Sequence, residues 1–174
     1  MKTITVCILV SLVLFSCGTG PEPSSETVLP APEISIPITG EDADFDPGTI
    51  TQEVKDSTMS DVQKFIEKLN AIIRAGDYNS WVSHLGERYF DEISSPEYLA
   101  QISEQPRIKS SKNPLSGPDD YFARVVVPSR ANDRVDDIEF VTKNRVKAFT
   151  ITPNGRRLRL YELEQANEDW KIIN

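Results

Sequence analysis

The chain is poor in the residues that build metal centres and disulfides. Its 174 residues include two cysteines, Cys7 and Cys17, and one histidine, His84. A structural zinc site made of Cys and His needs four ligands, so this kind of site is excluded. Both cysteines lie near the start of the chain. The sequence after Cys17 therefore has no disulfide, no thiolate ligand and no cysteine nucleophile.

Positive charge and long apolar runs are also scarce. The chain has 19 Lys and Arg against 27 Asp and Glu, a net charge of −8. A nucleic-acid-binding protein would show a basic face, so no nucleic-acid partner is expected. A composition of 39% hydrophobic and 26% charged residues is ordinary for a soluble fold and excludes a multi-span membrane protein. No phosphate-binding loop, dinucleotide fingerprint, nucleophile elbow or metalloprotease helix occurs, so neither a cofactor nor a metal is predicted.

The first residues have the pattern of a bacterial targeting segment. Lys2 gives a short positive region, and the mostly apolar residues 4–15 follow it. A helix of this length cannot span about 30 Å of hydrocarbon, but it fits the core of a signal peptide. The following tetrad, Leu14-Phe15-Ser16-Cys17, resembles the lipobox of bacterial lipoproteins.

This resemblance implies a specific processing event. Residues 1–16 would be removed as a signal peptide by cleavage between Ser16 and Cys17, and Cys17 would carry diacylglycerol and further acylation, typically palmitate. Burial of acyl chains is worth about 0.8 kcal/mol per CH₂, so two or three chains anchor a protein stably. The resemblance thus implies a bacterial cell-envelope protein, periplasmic or surface-facing, with inner or outer membrane left open. An ordinary secretory signal and an uncleaved anchor are the alternatives.

Residues 17–52 are predicted to be the lipidated cysteine followed by a disordered, acidic, proline-rich linker. The linker has six of the twelve prolines and seven acidic residues, with no Lys or Arg. Dense proline blocks regular structure, and like charges extend a chain. Residues 53–174 have 20 acidic and 18 basic side chains. The acidity of the whole chain therefore belongs mainly to the linker and says little about the ligand of the domain.

The first half of residues 53–174 is predicted to be helical. Apolar residues recur at helical spacing over 59–73. Ser60 and Gln63 match a capping box at the start of this helix, and Gly76 is a natural end. A second, short helix and a third helix are expected after it, with caps at Asp77 and Ser95.

The second half is predicted to form strands joined by turns. Alternating or continuous apolar residues bounded by turn residues indicate strands at 121–127, 138–141, 145–151, 157–163 and 170–173. A further short strand is possible at 107–108. Helices followed by an antiparallel meander are typical of an α+β domain with helices on one face of a sheet.

Two tracts of this domain resemble a known family. The amphipathic helix, the tract at 74–81 and the closing tract at 168–172 together look like the NTF2-like, or cystatin-like, roll. The resemblance implies N-terminal helices packed on a curved antiparallel sheet around a cone-shaped apolar cavity. A different helix-plus-meander α+β domain is the alternative. Enzymes of this family place an Asp, a Tyr or an Asp–His pair in the cavity, which makes His84 a weak catalytic candidate beside its structural interpretation.

Two further sets of side chains are candidates for binding. Aromatic residues expected at the helix–sheet interface would line a ligand cavity or simply form core: Trp81, Phe90, Tyr121, Phe149 and Tyr161. Cations on neighbouring strands would form a basic stripe for an anionic ligand or acidic partner, or would pair with Glu139, Glu162 and Glu164: Arg124, Arg145, Lys147, Arg157 and Arg159. The carboxylates Asp119, Asp120, Asp133, Asp136 and Asp137 lack a calcium-loop pattern and are predicted to be solvated turn or cap residues.

The functional hypothesis from these patterns is a membrane-anchored envelope lipoprotein whose domain binds a protein or small-molecule partner without catalysis. One alternative is an NTF2-like acid–base enzyme that uses His84 or a buried Asp in the cavity. Another is a structural role in the envelope as a homodimer formed through the sheets.

Overall fold

The computed structural model describes residues 45–167 and 169–174. The signal peptide, the lipobox with Ser16 and Cys17, and most of the predicted linker lie outside the described residues, so these remain predictions. The described end of the predicted linker has regular structure. A 3₁₀ turn at Pro47–Thr49 is capped by Asp46, and Phe45 and Ile50 pack against the core. Regular structure is therefore present before the predicted boundary at 53.

The helices come first in the chain and the strands last. The helices are α1 (Gln52–Arg74), α2 (Tyr78–Ser83), α3 (Glu87–Ser94), α4 (Pro96–Ser103), α5 (Pro106–Lys109), α6 (Pro118–Tyr121) and α7 (Val127–Arg130). A π turn at Phe122–Val126 joins α6 to α7. The strands are β1 (Asp137–Phe140), β2 (Arg145–Ile151), β3 (Arg157–Ala166) and β4 (Asp169–Ile172).

Local capping chemistry sets most of the helix ends. Gly76 ends α1 with φ +67°, a left-handed conformation that glycine adopts without strain. The side chain of Asp77 accepts from the backbone N–H of Ser80, and that of Ser95 accepts from Tyr98. These predicted caps are confirmed. The predicted capping box at Ser60 is wrong, because α1 begins eight residues earlier, after Thr51.

The predicted strand at 121–127 is wrong, since these residues are helical. Pro118 occupies the first turn of α6, where its missing N–H costs nothing. Tyr121, Phe122 and Val126 are buried while Ala123 is exposed, so the segment buries one helical face. Packing against α1 and α3 thus overrides the β propensity of the valine run. Residues 107–108 likewise lie in helix α5 and form no strand.

The four strands form an antiparallel meander in the order β1-β2-β3-β4, as predicted. A bulge between Ala148 and Phe149 shifts the register of β2 against β3. The chain after α2 then covers the far edge of β4. The N–H of Gly86 donates to the carbonyl of Ile172 at 2.7 Å, and the N–H of Ile172 donates to the carbonyl of His84 at 2.8 Å.

One hydrophobic core joins the helices to the inner face of the sheet. From the helices come Val62, Ile66, Leu69, Ile73, Trp81 and Ile93, and from the strands come Ile138, Val146, Ala148, Leu163 and Ile172. Each of these side chains is at most 2% exposed. The opposite face of the sheet carries charged side chains. The α+β class, with helices packed on an antiparallel sheet, is therefore confirmed, while the NTF2-like assignment stays a prediction.

Candidate functional site

The buried polar group of this domain is centred on an arginine–aspartate pair. The Tyr161 hydroxyl donates to Asp133 Oδ2 at 2.6 Å, and Arg130 Nη1 lies 3.5 Å from the same oxygen. The Arg130 guanidinium also lies over the Tyr161 ring, 5.2 Å from its centroid. The side chains of Arg130 and Asp133 are 14% and 10% exposed, so the pair is largely removed from water.

Three more tyrosines extend this group into the core. The hydroxyls of Tyr98 and Tyr121 are 3.4 Å apart, and Tyr89 lies beside both. We call the six residues the tyrosine–arginine cluster: Tyr89, Tyr98, Tyr121, Arg130, Asp133 and Tyr161. Its members come from α3, α4, α6, α7, the α7–β1 loop and β3, so the whole fold is needed to assemble it.

Burial sets the protonation of the cluster. Removal from water raises the pKa of Tyr89, Tyr98 and Tyr161, and the negative charge of Asp133 raises that of Tyr161 further. These phenols therefore remain neutral hydrogen-bonding groups at physiological pH. Burial also raises the pKa of Asp133, against the opposing effects of the Arg130 cation and the Tyr161 hydrogen bond.

The loop that carries Asp133 is held by polar side chains of α1. Asn70 Nδ2 donates to the Asp133 carbonyl at 2.8 Å, and Gln63 Nε2 donates to the Val135 carbonyl at 3.0 Å. Arg74 Nη1 donates to the Ala131 carbonyl at 2.8 Å. These three α1 residues recur at helical spacing, so one face of α1 fixes the loop and with it the Asp133 carboxylate.

The predicted aromatic lining does not come together as one surface. Trp81, Tyr121 and Tyr161 are buried, and Trp81 packs 6.5 Å from Tyr121 between ring centroids. Phe90 is half-buried at the edge of the core. Phe149 lies instead beneath the Arg157 guanidinium, 3.4 Å from its carbon to the ring centroid. Of the five residues, Tyr121 and Tyr161 belong to the tyrosine–arginine cluster.

The cations of the predicted basic stripe are paired with acids across the strands. Arg145 contacts Glu164 at 3.0 Å, Arg157 contacts Asp137 at 2.8 Å and Glu139 at 2.9 Å, and Arg159 lies 3.9 Å from Glu162. Lys147 lies between Glu139 and Glu162 in the strand register. The pairing alternative therefore describes this face of the sheet better than a continuous basic surface does.

Arg124 does not lie on the sheet, so its placement in the stripe is wrong. It belongs to the π turn, where Nη2 donates to Ser111 Oγ and to the Asn113 carbonyl, both at 2.6 Å. These bonds tie the loop after α5 to the helical segment. The reason for the error is the same packing that makes residues 121–127 helical.

His84 lies apart from the tyrosine–arginine cluster. Its imidazole packs edge-on against Phe65, with 5.5 Å between ring centroids. Burial lowers the pKa of His84, and the nearby Lys68 and Lys171 lower it further. These surroundings favour a neutral imidazole at the C-terminal end of α2. Within residues 45–167 and 169–174, no group of three or more His, Cys, Asp or Glu side chains could hold a metal ion.

The sequence did not single out Arg130, and it placed Asp133 among solvated turn residues, which is wrong. Asp133 is buried because the loop folds back onto α1 and Tyr161. The i,i+3 spacing of Arg130 and Asp133 is a weak local signal for an ion pair. Their convergence with Tyr161, 28 residues further along the chain, has no local signal.

The carboxylate of Asp136 gives a pH-dependent contribution to stability. It lies 2.7 Å from Arg134 Nε and accepts from the Ile151 N–H at 2.8 Å. The Arg134 hydrogen bond and then the Ile151 hydrogen bond lower its pKa below the ordinary value of 3.8. Because the folded pKa is below the unfolded pKa, this contribution is complete above the unfolded value and is lost as pH falls through the folded value.

We therefore expect Asp136→Asn to lower the free energy of unfolding by about 1 kcal/mol at pH 7, and by less below pH 4. Urea unfolding of both proteins between pH 3 and pH 7 measures the difference. Asp91→Asn, at an exposed position on α3, is the control and should show no such trend. A difference between Asp136→Asn and the unmodified protein that stays constant with pH would contradict this role of the carboxylate.

The comparisons with known proteins place the chain beside a spirochaetal protein. No protein-family model matches the chain, and no solved structure matches it. An uncharacterised lipoprotein of Treponema pallidum (strain Nichols) is 33% identical over 131 residues, which cover 75% of this chain and 68% of the relative. None of the helices in the described part of the chain is long and apolar enough to cross a membrane. The chain thus belongs to the same family as this treponemal lipoprotein.

Proposed function

We propose that the protein is an envelope lipoprotein anchored by lipid on Cys17. Two observations support the proposal: the tetrad Leu14-Phe15-Ser16-Cys17 after an apolar run, and membership of a family that contains a lipoprotein. Residues 18–44 contain acidic side chains and no Lys or Arg, a composition that is repelled by anionic lipid headgroups. The linker then acts as a spacer that keeps the domain away from the membrane, on the periplasmic or the surface side.

Metabolic labelling with a fatty acid tests the anchor. Wild-type protein and the control Cys7→Ala should both take up label, because residue 7 leaves with the signal peptide. Cys17→Ala should take up none. Label retained in Cys17→Ala, or an intact mass of the mature wild-type protein without acyl chains, would refute the anchor.

We propose that the domain is a non-catalytic binding module of the NTF2-like type and that the tyrosine–arginine cluster is its ligand site. The main observation behind this proposal is the hydrogen bonding of Arg130. Its guanidinium has five N–H donors. Within the described residues it makes one long hydrogen bond, 3.5 Å, to Asp133. A buried ion pair is costly to desolvate and is weak evidence for a stabilising role. The pair is better explained as a recognition group, a role that the raised pKa values of Asp133 and Tyr161 support.

The chemistry of the cluster suits a small ligand with an acidic group. Arginine binds a carboxylate or phosphate through two parallel hydrogen bonds, which are shorter and stronger than the long contact with Asp133. Tyr161 would keep its bond to Asp133 while the ligand takes the guanidinium. The Arg130 side chain is 14% exposed, and in this proposal the ligand reaches the guanidinium from that exposed side. The hydroxyls of Tyr89 and Tyr121 would supply further donors or acceptors.

Titration of the full chain in detergent micelles tests this ligand class. N-acetylmuramic acid and inorganic phosphate should shift the NMR signals of the Arg130 and Tyr161 side chains, and the uncharged N-acetylglucosamine should not. The Tyr161 response should be absent from the double variant Arg130→Met, Asp133→Leu, which keeps the volume of the site without charge. If neither acid produces a response, the proposed ligand class is wrong.

One observation favours the acid–base enzyme as a second candidate. Asp133 is a buried carboxylate whose pKa is raised by desolvation, the direction expected for a general base. Turnover of the acidic probes separates the two candidates. An enzyme should convert a probe in the wild type and lose that turnover in Asp133→Asn, whereas a binding module should respond to the probes in both proteins and convert them in neither.

A further inference from the structure

The helical segment that delivers Arg130 has an unusual turn. From 118 to 130 the backbone runs through α6, the π turn and α7, and the N–H of Val127 donates to the carbonyl of Phe122, five residues back. A π turn accommodates one more residue than an α-helical turn, and such turns are frequent at functional sites. Here the turn lies between two members of the tyrosine–arginine cluster, Tyr121 and Arg130.

The extra residue decides which side chains face the core. Tyr121 and Val126 are 8% and 6% exposed and lie five residues apart, and Arg130 follows four residues later. In an uninterrupted α-helix, residues four apart share a face, so Val125 and Ser129 would follow Tyr121. Val125 is half-buried and Ser129 is exposed. The π turn therefore rotates the following residues by about 100°, one α-helical step, and brings Arg130 inward.

Pro128 supplies a physical reason for the turn. In an α-helix its ring would clash with the carbonyl of Arg124, four residues before it, and it has no N–H to donate. The π turn ends at Val126, two residues before Pro128, and widens the backbone there. The hydroxyl of Ser129 donates to the carbonyl of Val125, which gives that group of the widened turn a partner.

We propose that Pro128 is a positioning residue, which keeps the π turn in place and thereby aims Arg130 at Asp133 and Tyr161. The consequence for ligand binding rests on the proposed function, whereas the orientation of Arg130 can be measured on the protein without a ligand. Without the turn, the same sequence would direct Ser129 to the cluster and Arg130 to solvent. In this scheme Pro128 acts on the Arg130–Asp133 pair indirectly, through the register of the helix.

The test compares Pro128→Ala with Pro106→Ala in the full chain in detergent micelles. Pro106 stands in the first turn of α5, outside the segment 118–130, and is the matched control. The readout is the titration midpoint of the Asp133 carboxyl, followed by its ¹³C NMR shift. Loss of a cation within a few ångströms should raise the midpoint by about 1 pH unit in Pro128→Ala. Pro106→Ala should leave it unchanged, and Pro128→Ala should have no added effect when Arg130→Met is present.

Deletion of Ala123 provides the rescue. In the variant that combines Pro128→Ala with deletion of Ala123, Val126 follows Tyr121 by four residues and Arg130 follows Val126 by four. A regular α-helix then places all three side chains on its inward face. This variant should recover the wild-type titration midpoint of Asp133. The same recovery is expected if Pro128→Ala alone is too unstable to titrate. An unchanged midpoint in Pro128→Ala, or no recovery on deletion, would overturn the role of Pro128. Neither result depends on a ligand, so both are separable from failure of the probe titrations.

Discussion

Asp133→Ala is expected to lower the free energy of unfolding by about 3–5 kcal/mol, among the largest effects of any single substitution here. The change leaves the Arg130 cation without its carboxylate and the Tyr161 hydroxyl without its acceptor, in surroundings where both side chains are mostly removed from water. An unpaired buried charge costs far more than the pair contributes. Equilibrium unfolding in urea at pH 7 measures this loss.

Two variants give this prediction its controls. The double variant Arg130→Met, Asp133→Leu should lie within about 2 kcal/mol of the wild type, because apolar residues of similar size replace the pair without leaving a charge. Arg134→Ala removes an ion pair whose arginine is 74% exposed and should cost less than about 1 kcal/mol. If Asp133→Ala costs no more than Arg134→Ala, the carboxylate is not a buried partner of Arg130. A stable double variant that also fails to bind acidic probes would assign the pair to recognition.

Trp81→Ala is expected to cost about 3–5 kcal/mol through the cavity that it leaves. The indole is 2% exposed and packs 4.9 Å from Phe122 and 6.1 Å from Tyr78, measured between ring centroids. Trp81 was a predicted lining residue of a ligand cavity, but its neighbours are core side chains. Thermal and urea unfolding would both report the loss.

Val54→Ala is the matched comparison for this loss of apolar contact. Val54 is 45% exposed on α1, so its truncation should change stability by less than about 0.5 kcal/mol. A cost for Trp81→Ala as small as that for Val54→Ala would show that the indole does not fill the core. In that case a ligand cavity beside Trp81 would again be the better interpretation.

The sequence predicted those elements whose signals are local. The caps at Asp77 and Ser95 need only a side-chain oxygen and the N–H three residues later. Strand β2 has an alternation that its burial follows up to the bulge after Ala148. The valine run at 125–127 carried an equally clear local signal for a strand. It was overruled by Pro118, by contacts with α1 and by the burial of a single helical face.

The tyrosine–arginine cluster could not be read from the sequence because its members are brought together by tertiary structure. Tyr121 and Tyr161 were picked out as aromatic residues near the helix–sheet interface, and both are buried in the core. The sequence could not show that their hydroxyls belong to a cluster with Arg130 and Asp133, because a helix and a loop bring those two residues to the tyrosines. A pattern of residue types along the chain carries no information about that convergence. The π turn is different, because Pro128, which we propose keeps it in place, can be seen in the sequence.

The covering of the β4 edge has a consequence for crowding at a bilayer. Since Gly86 and its neighbours occupy that edge, β1 is the open edge of the described sheet, and it is only four residues long with Asp137 and Glu139 along it. Two copies that the proposed anchor held at one membrane would, on meeting edge to edge, bring these acids and their partner Arg157 close together. Short, charged edges of this kind discourage fibrillar stacking, a hazard that grows when many molecules share a two-dimensional surface.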